Sequence, residues 1–265
     1  MAADSNAQIY ADYRPRYPQT LIDDIRLRTI GDRAELFVDW GCGTGELTIP
    51  LSRYFDRVLA VDLGADRISI AKDTARREGI EHIEWLVGKA ESIEIAPESC
   101  DLIASASAFH WMDRELLSMR AFQGLRGDGA LAVAGGGGAD IWQGAKDWHK
   151  VAIECLAKYL DDPILEEKRS GAAISTGNKP AKRWHADFLV DAGFEVEYLK
   201  HPTEFLWPAE DVAGYMYSVT GGLPWALGDR REAFERDFSD ELARLNPDGL
   251  VRETIDFFLL IATKP

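Results

Sequence analysis

Cysteine is scarce: 265 residues hold three, Cys42, Cys100 and Cys155, with no paired spacing. That excludes a disulfide framework and a Cys-x-x-Cys metal site, and a reducing cytoplasm is the expected setting. Basic residues are outnumbered, with 30 Lys plus Arg against 45 Asp plus Glu and a formal net charge of −15. A surface this acidic repels nucleic-acid phosphates and anionic membranes, so neither is expected as a partner. Arg76 and Arg77, or Lys179, Lys182 and Arg183, read as solvated helix faces. Long apolar runs are missing too. The longest, residues 257–262 (FFLLIA), suits a buried strand and is far short of a membrane span. Residues 1–9 show no basic region followed by an apolar run, so no secretory leader is expected in them. There is no internal repeat and no G-x-x-x-x-G-K-[ST] phosphate loop. His149, His185 and His201 are scattered without metal-ligand spacing, and no metal is expected.

What is present is a hydrophobic fraction of 46%, enough for a sizeable core. In the first half, short apolar runs alternate with helical stretches. Residues 35–40 (ELFVDW), 57–63 (RVLAVDL), 83–87 (IEWLV), 101–106 (DLIASA) and 130–134 (ALAVA) read as strands. Residues 47–55, 65–78 and 114–125 read as helices, the second stopped by Gly79, and residues 127–129 (GDG) read as a turn. Near-continuous apolar strands between helices predict a doubly wound α/β fold with a mainly parallel sheet. The second half predicts helices over 141–160, 181–192, 208–218 and 230–245, and a loop over 161–180. It also predicts strands starting at 195 and over 255–262.

The sharpest feature is Asp39-Trp40-Gly41-Cys42-Gly43-Thr44-Gly45, between the first strand and its helix. Glycines there let a ligand approach the backbone, and the helix start offers unpaired N–H groups. A dinucleotide fingerprint needs G-x-G-x-x-G or A, but Glu46 stands at the last position. A carboxylate there repels a pyrophosphate. S-adenosylmethionine has no phosphate; it carries a sulfonium, an amino group and a carboxylate, and Asp39 can serve the amino group. Asp62, 23 residues after Asp39, ends the second strand where an acid can accept both ribose hydroxyls. An NAD-dependent oxidoreductase and a non-catalytic cofactor-binding protein remain open at this point.

The strings VDWGCGTGELT (38–48), VLAVDLGADRISIAK (58–72), GKAESI (88–93) and DLIASASAFHWMD (101–113) resemble the class I S-adenosylmethionine-dependent methyltransferases. The opening YADYRPRYP (10–18) is similar to the small-molecule branch, with its trans-aconitate-type and natural-product N- and O-methyltransferases. The resemblance implies a seven-stranded sheet with a reversed last strand and helical lid insertions. It implies S-adenosylmethionine as cofactor and S-adenosylhomocysteine as product, bound across the ends of strands 1, 2 and 4. Asp39, Gly41, Cys42, Gly43 and Gly45 then cradle the methionine part. Asp62 holds the ribose, Leu63 packs on the adenine, and Ala90 and Glu91 flank its edge. Ser105 and Ala106 close strand 4 beside it, and Tyr10 and Arg14 contact it from the N-terminus. Many relatives carry an acid where this chain has Lys89. Trp40 is bulkier than usual there.

Methyl transfer is an in-line displacement that needs alignment and exclusion of water. His110, next to Phe109 and Trp111, is the candidate base for a hydroxyl acceptor, and Tyr17 joins it as a candidate catalytic group. An amine acceptor needs no base, and nitrogen is favoured. The acceptor is expected to be a small molecule; a homo-oligomer is left open. The organisation expected is one domain over 1–265. Within it, N-terminal cap helices occupy 1–30, a cofactor-binding core 35–138, lid and acceptor-pocket elements 139–250, and the last strand 251–265. The aromatic-rich segment 214–225 (GYMYSVTGGLPW), broken by Gly221, Gly222 and Pro224, is the expected closing element.

Overall fold

The apolar runs of the first half fold as parallel strands, and helices carry the chain back between them except from the third to the fourth, which a 3₁₀ turn over Ala90–Ser92 connects. The structure, a computed structural model, describes residues 6–30, 33–136, 141, 144–161, 163, 183–220 and 222–265. Two helices, α1 (Asn6–Tyr13) and α2 (Gln19–Thr29), precede β1 (Ala34–Trp40). Then follow α3 (Thr48–Ser52), β2 (Phe55–Asp62), α4 (Ala65–Arg77), β3 (Ile83–Val87) and β4 (Cys100–Ala106). Next come α5 (Arg114–Gly124), β5 (Leu125–Gly135), α6 (Asp147–Tyr159), α7 (His185–Asp191) and β6 (Glu195–Pro208). The chain ends with α8 (Val212–Thr220), α9 (Leu223–Leu227), α10 (Arg231–Leu245) and β7 (Leu250–Thr263).

The strands form a seven-stranded sheet in the order β3-β2-β1-β4-β5-β7-β6. β1 runs parallel to both β2 and β4, with Asp39 opposite Ala60 on one side and Ala104 on the other. β7 is antiparallel to β5, so the reversed last strand is present. The chain leaves β1 first towards β2 and β3, then returns to place β4 on its other side. Strand order reverses there, and in open α/β sheets that reversal opens a crevice at the carboxyl ends.

The chain packs into two compact units. One comprises Met1–Pro15, Gly137–Ala181 and Glu204–Ile255; the other comprises Arg16–Gly136, Lys182–Thr203 and Asp256–Pro265. The second holds β1 to β5, and its core is built from Val38, Val61, Ile103, Leu131, Val133 and Leu260. In the first, α6 turns Trp148, Ala152, Cys155 and Leu156 inward and packs on α10. There the Trp148 indole N–H donates to buried Glu253 at 2.7 Å, and Lys146 also donates to that carboxylate. Trp207 stacks on Tyr215 at 5.0 Å.

Two local expectations differ from the structure. The helix after the glycine turn stops at Ser52, because Phe55 already pairs with Ala34 as the first residue of β2. The expected turn at 127–129 lies inside β5. The register slips between Cys100↔Leu125 and Leu102↔Ala130, and that irregularity absorbs the extra residues. The segment expected to be broken by Gly221, Gly222 and Pro224 is interrupted between α8 and α9: Gly222 has a left-handed backbone at φ +71°, and Pro224 stands in the first turn of α9, where a missing N–H is harmless. Trp142, Gly137, Gly138, Gly221, Lys179 and Lys182, and most of the loop expected over 161–180, lie outside the described residues.

Candidate functional site

Gly41, the first residue after β1, begins the site. Its φ is +75°, and a Cβ there would fall 2.4 Å from the Cβ of Ala108 and 2.8 Å from the Met112 methyl. Only glycine lets the turn pass that close to the chain leaving β4. The turn is tied to the neighbouring strand: Gly41 N–H and Cys42 N–H donate to the Val61 carbonyl, at 2.8 and 3.0 Å. Gly43 N–H donates to Asp62 Oδ2 at 3.0 Å, and Gly64 N–H to Asp62 Oδ1 at 2.8 Å. Asp62 therefore joins the end of β1 to the end of β2.

Beside this turn lies a cleft of about 520 Å³. Gly41, Asp62, Leu63, Ala90 and Glu91, all site candidates from the sequence, line it together. Leu63 is 69% exposed, an apolar face turned to solvent at the cleft edge. Arg67, Gly88, Lys89, Ala108, Trp111, Met112 and Asp113 line it as well and escaped the sequence reading as site residues. Arg67 could have been suspected from its place in the first turn of α4, since its guanidinium reaches Asp62 at 3.4 Å. Trp111 is 84% exposed. Its signal was in the FHW string, which forms a single 3₁₀ turn. Glu91 accepts from the Asp113 N–H at 2.9 Å and so ties this wall to the start of α5.

Asp39 lies deeper. Its Oδ2 accepts from the Thr48 hydroxyl at 2.6 Å, whereas Oδ1 is buried without a hydrogen-bond partner among the described residues. Burial drives its carboxyl up to about 7, and the charges of Asp62 and Glu46 add to the rise against the Thr48 hydrogen bond. Cys42 is buried behind the turn, and burial pushes its thiol far up, which leaves it no nucleophilic character.

The segment that carries this site is similar to known proteins. Residues 37–129 match the family profile described as "Methyltransferase domain". They belong to the class I S-adenosylmethionine-dependent methyltransferases. The "Probable S-adenosylmethionine-dependent methyltransferase CRG1" of Saccharomyces cerevisiae is 38% identical over 125 residues, 46% of this chain and 43% of the relative. A shorter stretch of 56 residues is 43% identical to a tRNA/tmRNA (uracil-C(5))-methyltransferase of Nitratiruptor, covering 21% of this chain and 14% of that protein. The chain spans about half the length of the first three curated relatives it matches. A candidate type II methyltransferase of Anaeromyxobacter dehalogenans has the same fold, with a TM-score of 0.56 and 20% identity over 95% of this chain and 98% of that one.

The methyltransferase cofactor fits the residues present. The glycine turn leaves a cradle that a Cβ would fill, and the buried Asp39 oxygen has an unmet capacity to accept. Asp39, Glu46 and Asp62 suit a ligand carrying cations. Gly43 and Gly45 keep left-handed backbones within the turn, at φ +58° and +93°.

The other candidates are placed as follows. Ser105 is fully buried and its hydroxyl donates to the Trp40 carbonyl at 2.8 Å. Ala106 is half-buried at the end of β4, paired with Ala134. Tyr17 shares a hydrogen bond of 2.9 Å with Ser107, a residue with a left-handed backbone at φ +52°, and its ring meets Phe257 at 5.7 Å. His110 is exposed, with its ring 4.9 Å from Trp111 and 6.3 Å from His185. Tyr10 and Arg14 belong to the other unit, where the Arg14 guanidinium lies 5.4 Å from the Tyr10 ring and donates to the Ser218 carbonyl at 3.3 Å. Among the described residues no His, Cys, Asp or Glu group could hold a metal ion, and no helix is long and apolar enough to cross a membrane.

Proposed function

We propose that the protein transfers the methyl group of S-adenosylmethionine to a nitrogen or oxygen of a small molecule, with nitrogen favoured. The observation that carries this reading is the convergence of Gly41, Asp62, Leu63, Ala90 and Glu91 on one cleft at the reversal of strand order. When bound, the cofactor supplies a methyl group already activated by positive sulfur. The protein's own part is to bind, orient and exclude water. The glycine turn holds the methionine part, Asp62 the ribose, and Leu63 with Ala90 and Glu91 the adenine, while Lys89 takes the place of an acid at that edge. Tyr17 with Ser107, and His110 in the 3₁₀ turn, are the groups offered to an acceptor, His110 as the base where the acceptor is a hydroxyl. Residues 35–138 serve the cofactor and residues 139–250 select the acceptor, as parts of one methyltransferase domain. Formal charge of −15 opposes a nucleic-acid acceptor. Three free, buried cysteines accord with a reducing cytoplasm, and natural-product modification is the metabolic role we favour.

Calorimetric titration of wild type and Asp62→Ala with S-adenosylmethionine, and separately with NAD, tests the core of this reading. Saturable binding of the sulfonium cofactor, weakened by the substitution and absent for NAD, is the expected result. It then justifies an acceptor screen with labelled cofactor. Binding of NAD without S-adenosylmethionine overturns the proposal.

A further inference from the structure

Parallel sheets normally carry helices over both faces. The crossover from β3 to β4 departs from this. After its 3₁₀ turn it runs without a helix to Cys100. It is held towards α5: Glu98 N–H and Ser99 N–H donate to the Gln123 and Gly124 carbonyls at 3.1 and 2.9 Å. A Cβ on Gly124 would fall 2.7 Å from the Ile95 side chain, so glycine admits Ile95 there. Over the amino-terminal halves of β1, β2 and β3 a cavity of about 400 Å³ remains, with no described helix residue in its walls.

Strand register sets its floor. Leu36 pairs with Arg57, Val38 with Leu59, and Leu59 with Glu84, so these five side chains share one face of the sheet. Leu36, Val38 and Leu59, with Ile95 from the crossover, give the cavity an apolar surface continuous with the core. Arg57 and Glu84 stand on either side of Leu59, about 8 Å apart along the diagonal between neighbouring strands. Glu94 adds a second acid from the crossover. Among the described residues no hydrogen bond or ion pair engages the side chains of Arg57, Glu84 or Glu94. The other charged groups in the walls are closed. Arg126 holds Glu35 and Asp101, each at 2.6 Å, and His82 shares a hydrogen bond with the Ser52 carbonyl at 2.9 Å. One open guanidinium and two open carboxylates around an apolar floor complement a ligand with a carboxylate, an ammonium and an apolar body.

We infer that this cavity is a second binding site, for a free apolar α-amino acid. Arg57 takes the carboxylate, Glu84 the ammonium, and the apolar side chain lies over Leu36, Val38 and Leu59. The site lies at the amino ends of the strands whose carboxyl ends border the other cleft, so it does not depend on the cofactor reading.

Three probes of one shape separate the charges: L-phenylalanine carries both, 3-phenylpropionate only the carboxylate, and 2-phenylethylamine only the ammonium. Each is titrated calorimetrically into the full chain, with and without saturating S-adenosylhomocysteine, and L-leucine is titrated as a second apolar amino acid. Phenylalanine or leucine is expected to bind saturably, and to bind still when S-adenosylhomocysteine is present. The two single-charge probes are expected to bind at least about tenfold more weakly than phenylalanine. Arg57→Gln and Glu84→Gln are each expected to weaken the amino acid by about tenfold, with S-adenosylhomocysteine affinity within about twofold of wild type and the unfolding midpoint retained. Either single-charge probe binding as tightly as phenylalanine overturns the assignment. So does amino-acid binding that ignores both substitutions, or the absence of saturable binding by both amino acids up to about 10 mM.

Discussion

Asp39 links the chemistry of the site to the stability of the protein. Burial pushes its carboxyl up to about 7 in the folded state, against about 3.9 for an aspartate in an unfolded chain. The folded state therefore holds this proton more tightly than the unfolded chain. The stability it contributes is complete below about pH 4 and is lost as pH rises through about 7. Melting temperatures of wild type and Asp39→Asn across that window check this: wild type should fall relative to the variant as pH rises, and parallel curves would refute the shift. Gly41 carries a steric prediction at the same scale. Gly41→Ala meets Ala108 and Met112 and must hold a left-handed backbone. Destabilisation of about 1–2 kcal/mol from the backbone alone is expected, measured as a lower urea midpoint, together with loss of cofactor binding.

At the scale of elements, the start of α5 decides one wall of the cleft. The Asp113 side chain caps the helix by accepting from Leu116 N–H at 3.1 Å, while its own N–H donates to Glu91. Asp113→Ala should lower stability by about 0.5–2 kcal/mol through the lost cap, read from denaturant unfolding. It should also weaken S-adenosylmethionine, because Glu91 and Asp113 line the same cleft. The strands were the most legible elements. Residues 83–87 are β3 to the residue, and β1 and β4 each begin one residue earlier than their apolar runs. The helix after β1 and the interior of β5 were less legible. Their limits follow from register with partners distant in sequence, Ala34 for Phe55 and Cys100 for Leu125.

For the whole molecule, charge is the controlling quantity. At a net −15, the chain is expected to show no retardation by tRNA or duplex DNA in gel-shift assays even at low salt, where basic contacts count most. Tight, salt-sensitive binding to tRNA would instead favour an acceptor like that of the uracil methyltransferase it matches over 56 residues.

Sequence by itself determined the alternation of strands and helices, the glycine turn and the two acids ending β1 and β2. These are local patterns set by side-chain periodicity and backbone freedom. Tertiary structure decided what those residues face. Parallel pairing brought Asp62 under Gly43, and the return of the chain along β4 set Ala108 against Gly41. The same return set Trp111 and Met112 in the cleft and placed Ser107 beside Tyr17. Burial raised the carboxyl of Asp39. Such differences arise from neighbours tens of residues away and from the removal of water, and neither can be read from spacing along the chain.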